Sequence, residues 1–254
     1  MPSRLAVIIL TRNEEKNIGA AIDSASFADE ILVVDSGSTD ATQAIAESRG
    51  AKFVFHPMGE EGFAGQRNFA LGQTEAEWVF YLDADERITE RAADCMAKIV
   101  AGNEEAAFSL KRMNIIMGKL MKHGAHRPDW CLRLFRRGTV SWEGVVHERP
   151  VSALPSREMD GELLHHTYSD WTNYFHKLSS YTDMMAERMH EEGKTAGLAD
   201  LTVRPIFAFF RAYVLQKGFL DGELGLVFSM LHSYYTFMKY LKLRYRTFSG
   251  GQEA

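Results

Sequence analysis

Along the first hundred residues, short unbroken apolar runs alternate with segments whose apolar positions recur at helical spacing. Leu5 to Leu10 is a run of the first kind. From Glu14 to Phe27, Ile18, Ala21, Ile22 and Ala25 fall on one helical face. The pattern predicts a buried strand and then a helix, with Asn13 as its candidate N-cap. A second strand over Ile31 to Val34 leads to a helix from Thr39 to Arg49 that starts behind Ser38 and stops at Gly50. A third strand, Ala51 to Phe55, ends at His56-Pro57. A loop (Gly59 to Gly65), a short helix (Gln66 to Leu71), a fourth strand (Trp78 to Leu82) and a helix (Thr89 to Val100) complete this stretch. Repeated strand-then-helix units predict an α/β fold on a mainly parallel sheet with right-handed crossovers.

Beyond Ala106 the pattern changes to shorter β-like pieces, Ala107 to Lys111, Leu132 to Arg136 and Val145 to Val151, which predict a mixed-sheet extension closing over the open edge. Ser169 to Glu192 reads as a helix with Trp171, Tyr174, Phe175, Leu178 and Tyr181 on one face. Gly193 to Asp200 is a polar break. A long aromatic segment follows, divided by Gly218-Phe219-Leu220-Asp221-Gly222. Arg211, Lys217, Asp221 and Glu223 keep either half short of the roughly 18 uncharged apolar residues that a spanning helix needs. The expectation is a helix pair lying in a membrane interface, with packing on the rest of the chain or on a second subunit as the alternative.

Composition and charge sharpen this picture. Of the 254 residues, 46% are hydrophobic and 25% charged, so disorder, collagen-like repeats and a disulfide scaffold are excluded. The two cysteines, Cys95 and Cys131, lack metal-ligand spacing, which suits a reducing, cytoplasmic compartment. The run Leu5 to Leu10 is too short for a signal-peptide core. Arg204 to Phe248 carries seven basic residues against two acidic ones, a net of +5 that leaves −10 on the remainder. That tail is a candidate for contact with an anionic membrane face. The acidic remainder argues against nucleic acid as a partner.

The chemistry concentrates at strand ends. Two apolar strands run straight into carboxylates, Asp35-Ser36-Gly37-Ser38-Thr39-Asp40 and Asp83-Ala84-Asp85-Glu86. In an open α/β sheet, ligands bind outside the carboxyl ends of the strands. Asp83 and Asp85, with Ala84 between them, can hold a hard divalent ion while leaving positions for a nucleotide diphosphate. Asp35, followed by small residues, can accept hydrogen bonds from a base or ribose; its local alternative is a turn, and Asp40 reads equally as a first-turn acid. No Gly-x-Gly-x-x-Gly or P-loop pattern occurs, and Thr11-Arg12-Asn13-Glu14 stands where such a turn would. Thr11, Asn13 and Glu14 can line the nucleotide from the first strand's tip. Arg67, opening a helix behind a Gly-rich loop, can reach a phosphate.

The motifs around Asp35, Gly65-Gln66-Arg67-Asn68 and Leu82-Asp83-Ala84-Asp85-Glu86 resemble those of family 2 glycosyltransferases with the GT-A fold, over about the first 170 residues. Leu132-Arg133-Leu134-Phe135-Arg136-Arg137-Gly138, Trp142-Glu143-Gly144-Val145-Val146-His147-Glu148 and Lys217-Gly218-Phe219-Leu220-Asp221-Gly222 are similar to motifs of bacterial lipopolysaccharide core β-1,4-glucosyltransferases acting on inner-core heptose. The resemblance implies a Rossmann-like domain over residues 1–168, with a nucleotide-sugar half at 1–100, an acceptor half at 101–168, and a helical, membrane-associating appendage at 169–254. It implies inverting transfer from a UDP-sugar, with Mn2+ or Mg2+, to a lipid-linked saccharide by a peripheral protein on the cytoplasmic face of the inner membrane. Inversion needs one carboxylate as base; Glu148 is the first candidate, with Glu143 and Asp129 open. Histidine commonly joins the metal or pyrophosphate in such enzymes, which points to His165, or to His166 or His147 instead. Arg133, Arg136 and Arg137 are candidates for acceptor phosphates or for an outer face. Two rival readings are a nucleotidyltransferase on a similar sheet and a non-catalytic membrane-associated protein that binds a sugar nucleotide.

Overall fold

The computed structural model describes residues 4–144 and 148–245. The chain divides into two compact units, Met1–Met113 with Asp129–His165 and Asn114–Pro128 with His166–Ala254. In the first, β1 (Leu5–Thr11), β2 (Glu30–Asp35), β3 (Lys52–Phe55) and β4 (Trp78–Asp83) lie parallel in the order β3-β2-β1-β4. Beyond β4 the sheet continues through β8 (Asp129–Arg136), β6 (Ala107–Ile116), β11 (Ser156–Tyr168) and β5 (Glu86–Ile88), with β8 antiparallel to β4 and to β6, and β5 antiparallel to β11. This mixed sheet flanked by helices is the expected α/β class.

The parallel strands read as continuous apolar runs because both of their faces are covered. Val7, Ile9, Val33 and Phe80 pack with residues of α1 (Ile18–Ser24) and α4 (Glu90–Gly102). Ile8, Leu32, Val34 and Tyr81 pack on the other side with Ala64 and Ala70 of α3 (Gly62–Leu71). Each such side chain contributes about 1.5–3 kcal/mol on full burial.

β2 and β4 lie on opposite sides of β1, so the winding reverses there and opens a crevice at the strand tips. The register sets Thr11 beside Asp35 and Leu10 beside Asp83. Three of the expected site residues therefore stand on adjacent strand ends.

Two helices start later than their apolar spacing predicts. α1 begins only at Ile18, behind Asn17, because the preceding loop is tied to a neighbour. Asn13 adopts a left-handed backbone (φ +55°), donates its N–H to Ser38 Oγ (2.7 Å) and accepts the Thr39 N–H on Oδ1 (2.8 Å). It staples two loops and is not an N-cap. α2 (Thr42–Ser48) is delayed because Asp40 accepts the N–H groups of Thr42 (3.0 Å) and Glu15 (3.1 Å), holding 38–41 outside the helix.

Of the expected strand Val145 to Val151, residues 145–147 lie outside the described residues. The remainder forms β10 (Arg149–Ser152), paired antiparallel with β9 (Val140–Glu143) in a separate two-stranded sheet.

The second unit holds the helices α5 (Trp171–Glu191), α6 (Leu198–Phe210) and α7 (Gly222–Tyr245), with a π turn over Arg211–Leu215 and a 3-10 turn over Gly218–Asp221. α6 and α7 pack together, as do α5 and α7. The 114–128 segment, which contains β7 (Lys119–Leu120), belongs to this unit. Buried Asp221 accepts the N–H groups of Lys122 (3.0 Å) and His123 (2.8 Å) and meets His123 Nδ1 at 2.9 Å. The glycines around it allow close approach: a Cβ on Gly225 would fall 1.9 Å from the Gly218 carbonyl oxygen. The Lys217 to Gly222 motif is thus a packing device. Among the described residues, no helix is long and apolar enough to cross a membrane.

Candidate active site

Asp83 ends β4 and Glu86 opens β5, so the Asp83-Ala84-Asp85-Glu86 turn is fixed by the sheet on both sides. The turn folds back on itself, the Asp83 N–H donating to Glu86 Oε2 at 3.0 Å. Arg87 donates to the carbonyls of Ala84 (2.9 Å) and Glu86 (2.7 Å), which holds the backbone at Ala84. Within this frame the two aspartates have different surroundings. Asp83 receives Arg67 Nη2 on one oxygen (2.9 Å) and Arg133 Nη2 on the other (2.8 Å). Asp85 Oδ2 meets His165 Nε2 at 3.3 Å, with His165 carried on β11 directly opposite Glu86.

Electrostatics follow from this arrangement. Burial alone would raise the Asp83 pKa, but the guanidiniums of Arg133 and Arg67 outweigh it and hold the carboxyl well below its usual range. Glu86 is wholly buried and meets Arg133 Nη2 at 3.0 Å. Burial lifts its carboxyl above the ordinary range; Arg133 opposes that rise and Asp83 adds to it. Arg112 continues the chain, reaching Glu86 Oε1 at 3.5 Å and clasping Asp129 through Nε (3.1 Å) and Nη2 (2.8 Å).

Arg67 is buried on α3 beneath the aromatic residues of β4 and β9, its guanidinium carbon 4.5 Å from the Trp142 ring centre and 5.6 Å from that of Tyr81. Asn68 clamps the same helix to β9, donating to the Trp142 carbonyl (2.9 Å) and accepting its N–H (2.8 Å). Arg67 Nη2 also lies 3.6 Å from Glu148 Oε1, which brings Glu148 to the Asp83 side of the crevice. Nε and Nη1 of Arg67 are buried and have no hydrogen-bond partner among the described residues, so the guanidinium is held through Nη2 and against the Trp142 and Tyr81 rings.

The structure sorts the expected residues. Asp83, Ala84, Asp85, His165, Arg67 and Glu148 come together around the β4–β5 turn. Thr11 is buried at the tip of β1, and its hydroxyl lacks a partner among the described residues. Glu14 accepts from Asn17 Nδ2 (2.8 Å) and donates its N–H to Thr42 Oγ1 (2.8 Å). Asp35 turns into its own loop, accepting the N–H groups of Gly37 (2.9 Å) and Ser38 (2.8 Å) and the Ser38 hydroxyl, which is the turn-forming alternative.

Glu143 stands apart from this group, more than half exposed and 3.7 Å from Arg149 across the β9–β10 pair. Asp129 is held by Arg112. Arg133 is not on an outer face: it is buried against Asp83 and Glu86. Arg136 instead meets Asn103, and Arg137 donates to the Ala76 carbonyl. His147 lies outside the described residues. Glu86, Arg112 and Trp142 were not expected as site residues; their role comes from strands far apart in sequence.

A divalent cation fits this donor set in part. Asp85 and His165 offer a carboxylate oxygen and an imidazole nitrogen from one edge of the crevice, while Asp83 is occupied by two arginines. Among the described residues, no group of three or more His, Cys, Asp or Glu could hold a metal ion. A single carboxylate with the remaining positions given to substrate phosphates and water is a usual arrangement for Mg2+, and the imidazole is an addition to it.

The crevice lies at a topological switch point and is lined by acids and a buried arginine. Residues 6–162 match glycosyl transferase family 2, and the chain belongs to that family. It is 29% identical over 255 residues to the lipopolysaccharide core biosynthesis glycosyltransferase LpsC of Rhizobium meliloti, covering 95% of this chain and 92% of that protein. An uncharacterized glycosyltransferase of Rickettsia conorii is 27% identical over 261 residues, covering 96% of this chain and 91% of its own. Among solved structures, glucosyl-3-phosphoglycerate synthase from Mycobacterium tuberculosis, in complex with Mn2+ and UDP-glucose, aligns over 44% of each chain at 23% identity with a TM-score of 0.35.

Proposed function

We propose that this glycosyltransferase moves a hexose, glucose in the first instance, from a UDP-sugar to a lipid-linked saccharide of the lipopolysaccharide inner core, with inversion at the anomeric carbon. The observation that carries the reading is the division of labour at the β4–β5 turn. Asp85 and His165 bring a carboxylate oxygen and an imidazole nitrogen within 3.3 Å of each other, while Arg67 and Arg133 each pair with Asp83. Family membership supports sugar transfer. The likeness to LpsC, named for lipopolysaccharide core biosynthesis, supports the acceptor class.

In this reading Asp85 and His165 hold Mn2+ or Mg2+, which when bound supplies Lewis-acid neutralisation of the leaving diphosphate. Thr11 and the Gly37 backbone line the nucleoside side, and Arg67, 2.9 Å from Asp83, supplies positive charge beside the diphosphate. Glu148 acts as base. The acceptor oxygen forms its bond to the anomeric carbon as the bond from that carbon to the diphosphate oxygen breaks. The hydroxyl proton passes to Glu148, and UDP leaves on the opposite face.

Membrane attachment is part of the proposal. Val203, Ile206, Phe207 and Phe210 of α6 and Val214 of the following turn are all exposed at helical spacing, and Phe219 and Leu220 extend the apolar surface. UDP release from UDP-glucose should require a lipopolysaccharide acceptor and a divalent ion. Asp85→Ala should lower it about a thousandfold, and Glu148→Gln by a hundredfold or more, about 10²–10⁴, with the fold intact by circular dichroism. Failure of the wild-type protein to bind any UDP-sugar in the presence of Mn2+ would overturn the reading.

A further inference from the structure

In the second unit, the end of β11, α5, α7 and the 124–126 turn border a cavity of about 250 Å3 that no part of the proposed chemistry uses. Apart from Leu178 its walls are aromatic, and each aromatic group carries a polar edge: Tyr168, Tyr174, Tyr181, Tyr235, His126 and His232. Tyr168 and Tyr174 meet edge to face, with ring centres 4.8 Å apart, and His126 crosses Tyr168 at 6.1 Å. His232 and Tyr235 lie parallel within 5°. Burial, together with the nearness of the Tyr181 and Tyr235 phenols, pushes the Tyr168 hydroxyl up to about 12, so it is a neutral donor and acceptor at physiological pH.

Two lysines stand close to rings that line the cavity. Lys177 Nζ stands 5.5 Å from the Tyr168 ring centre and Lys239 Nζ 5.8 Å from that of Tyr235. Burial, Lys239 and Arg211 together depress the His232 pKa. No carboxylate is among the lining residues.

We infer that this cavity binds a sugar ring bearing an anionic substituent. Amphipathic rings offer flat apolar faces to the C–H side of a pyranose, while phenols and imidazoles meet its hydroxyls. A purely hydrocarbon ligand would make no use of the phenol and imidazole groups among the lining residues. The lysines select a phosphate or a carboxylate on the sugar. That this sugar belongs to the acceptor rests on the function proposed above; that the cavity binds it does not.

The test uses the full chain and the oligosaccharide released from lipopolysaccharide by mild acid, with and without phosphatase treatment, titrated by calorimetry and saturation-transfer NMR. Tyr181→Ala and Lys177→Gln alter exposed side chains, Tyr181 being 48% exposed, so folding is preserved. Saturable binding to wild type that weakens about tenfold in each variant supports the inference. Loss of binding after phosphatase assigns the anion as phosphate; retention assigns a sugar carboxylate. Unchanged affinity in both variants, or no binding to wild type in either arm, overturns it. UDP-sugar binding, measured on the same samples, should be the same in wild type and variants. Its absence from wild type would sink the proposed reaction while leaving the saccharide titration readable.

Discussion

Arg133 is the residue on which the geometry of the acidic turn most depends. Its Nη2 joins Asp83 on β4 to fully buried Glu86 on β5, so its removal leaves a buried carboxylate without its close partner. Breaking such a pair costs about 3–5 kcal/mol. Arg133→Met should lower stability by that amount in urea titrations, and Arg133→Met with Glu86→Gln should recover a good part of it. Activity should stay low in both, because Asp83 has lost one of its two clamps. His232 allows a test of a different kind. Its native pKa lies below the ordinary 6.5 through burial, Lys239 and Arg211. The unfolded chain therefore binds its proton first as pH falls. The stability His232 contributes is present above pH 6.5 and is lost as pH drops through its lower native value. His232→Gln should flatten the wild-type stability slope in that window, a slope of at most about 1.4 kcal/mol per pH unit for one proton. Of these side chains the sequence announces the Asp83-Ala84-Asp85 pattern, His165 and Glu148. It does not announce Arg133 as their support, because its partner Asp83 is 50 positions away and only strand pairing brings them together.

At the level of elements, close packing of β11 on α4 fixes the strand that carries His165. Gly161 lies there at φ +95°, and an added Cβ would fall 2.4 Å from both the Cα and the N of Ala92. Gly161→Ala should therefore cost about 3 kcal/mol or more, combining backbone strain with overpacking. Ala92→Gly in the same chain should not rescue it, since the obstruction is backbone; thermal unfolding of the three proteins decides the matter. Strands were the legible elements, because a run such as Trp78 to Leu82 is apolar on both faces and bounded by polar residues. Helix starts were not. Asn13 and Asp40 give their polar groups to neighbouring loops, and a local pattern cannot distinguish such a tertiary contact from a cap. The 114–128 segment is held in the same nonlocal way: its anchor is Asp221, through contacts 98 and 99 residues apart in sequence.

Across the whole molecule, the charge asymmetry visible in the sequence acts through fewer groups than its count implies. Lys242 is buried, at 2.7 Å from Asp183 and 2.9 Å from Thr182 Oγ1, and Arg204 pairs with Asp200. Arg246 lies outside the described residues. In the membrane-attached reading proposed above, what remains is Arg211, Lys217 and Arg244, a partly buried Lys239, and the exposed apolar stripe of α6, where Ile206 is 69% and Phe207 56% exposed. An interfacial helix gains from both sources, but salt weakens only one of them. The full chain should co-sediment with vesicles containing phosphatidylglycerol. Raising salt from about 0.1 M to about 1 M, which shortens the screening length from about 10 Å to about 3 Å, should reduce binding without abolishing it. Ile206→Glu with Phe207→Glu should abolish it at either salt while leaving the melting temperature unchanged, because both side chains are largely exposed. Binding that survives this pair of changes would assign the attachment to the basic groups alone, and a dimer in the absence of vesicles that the same pair dissolves would assign the stripe to a second copy of the chain.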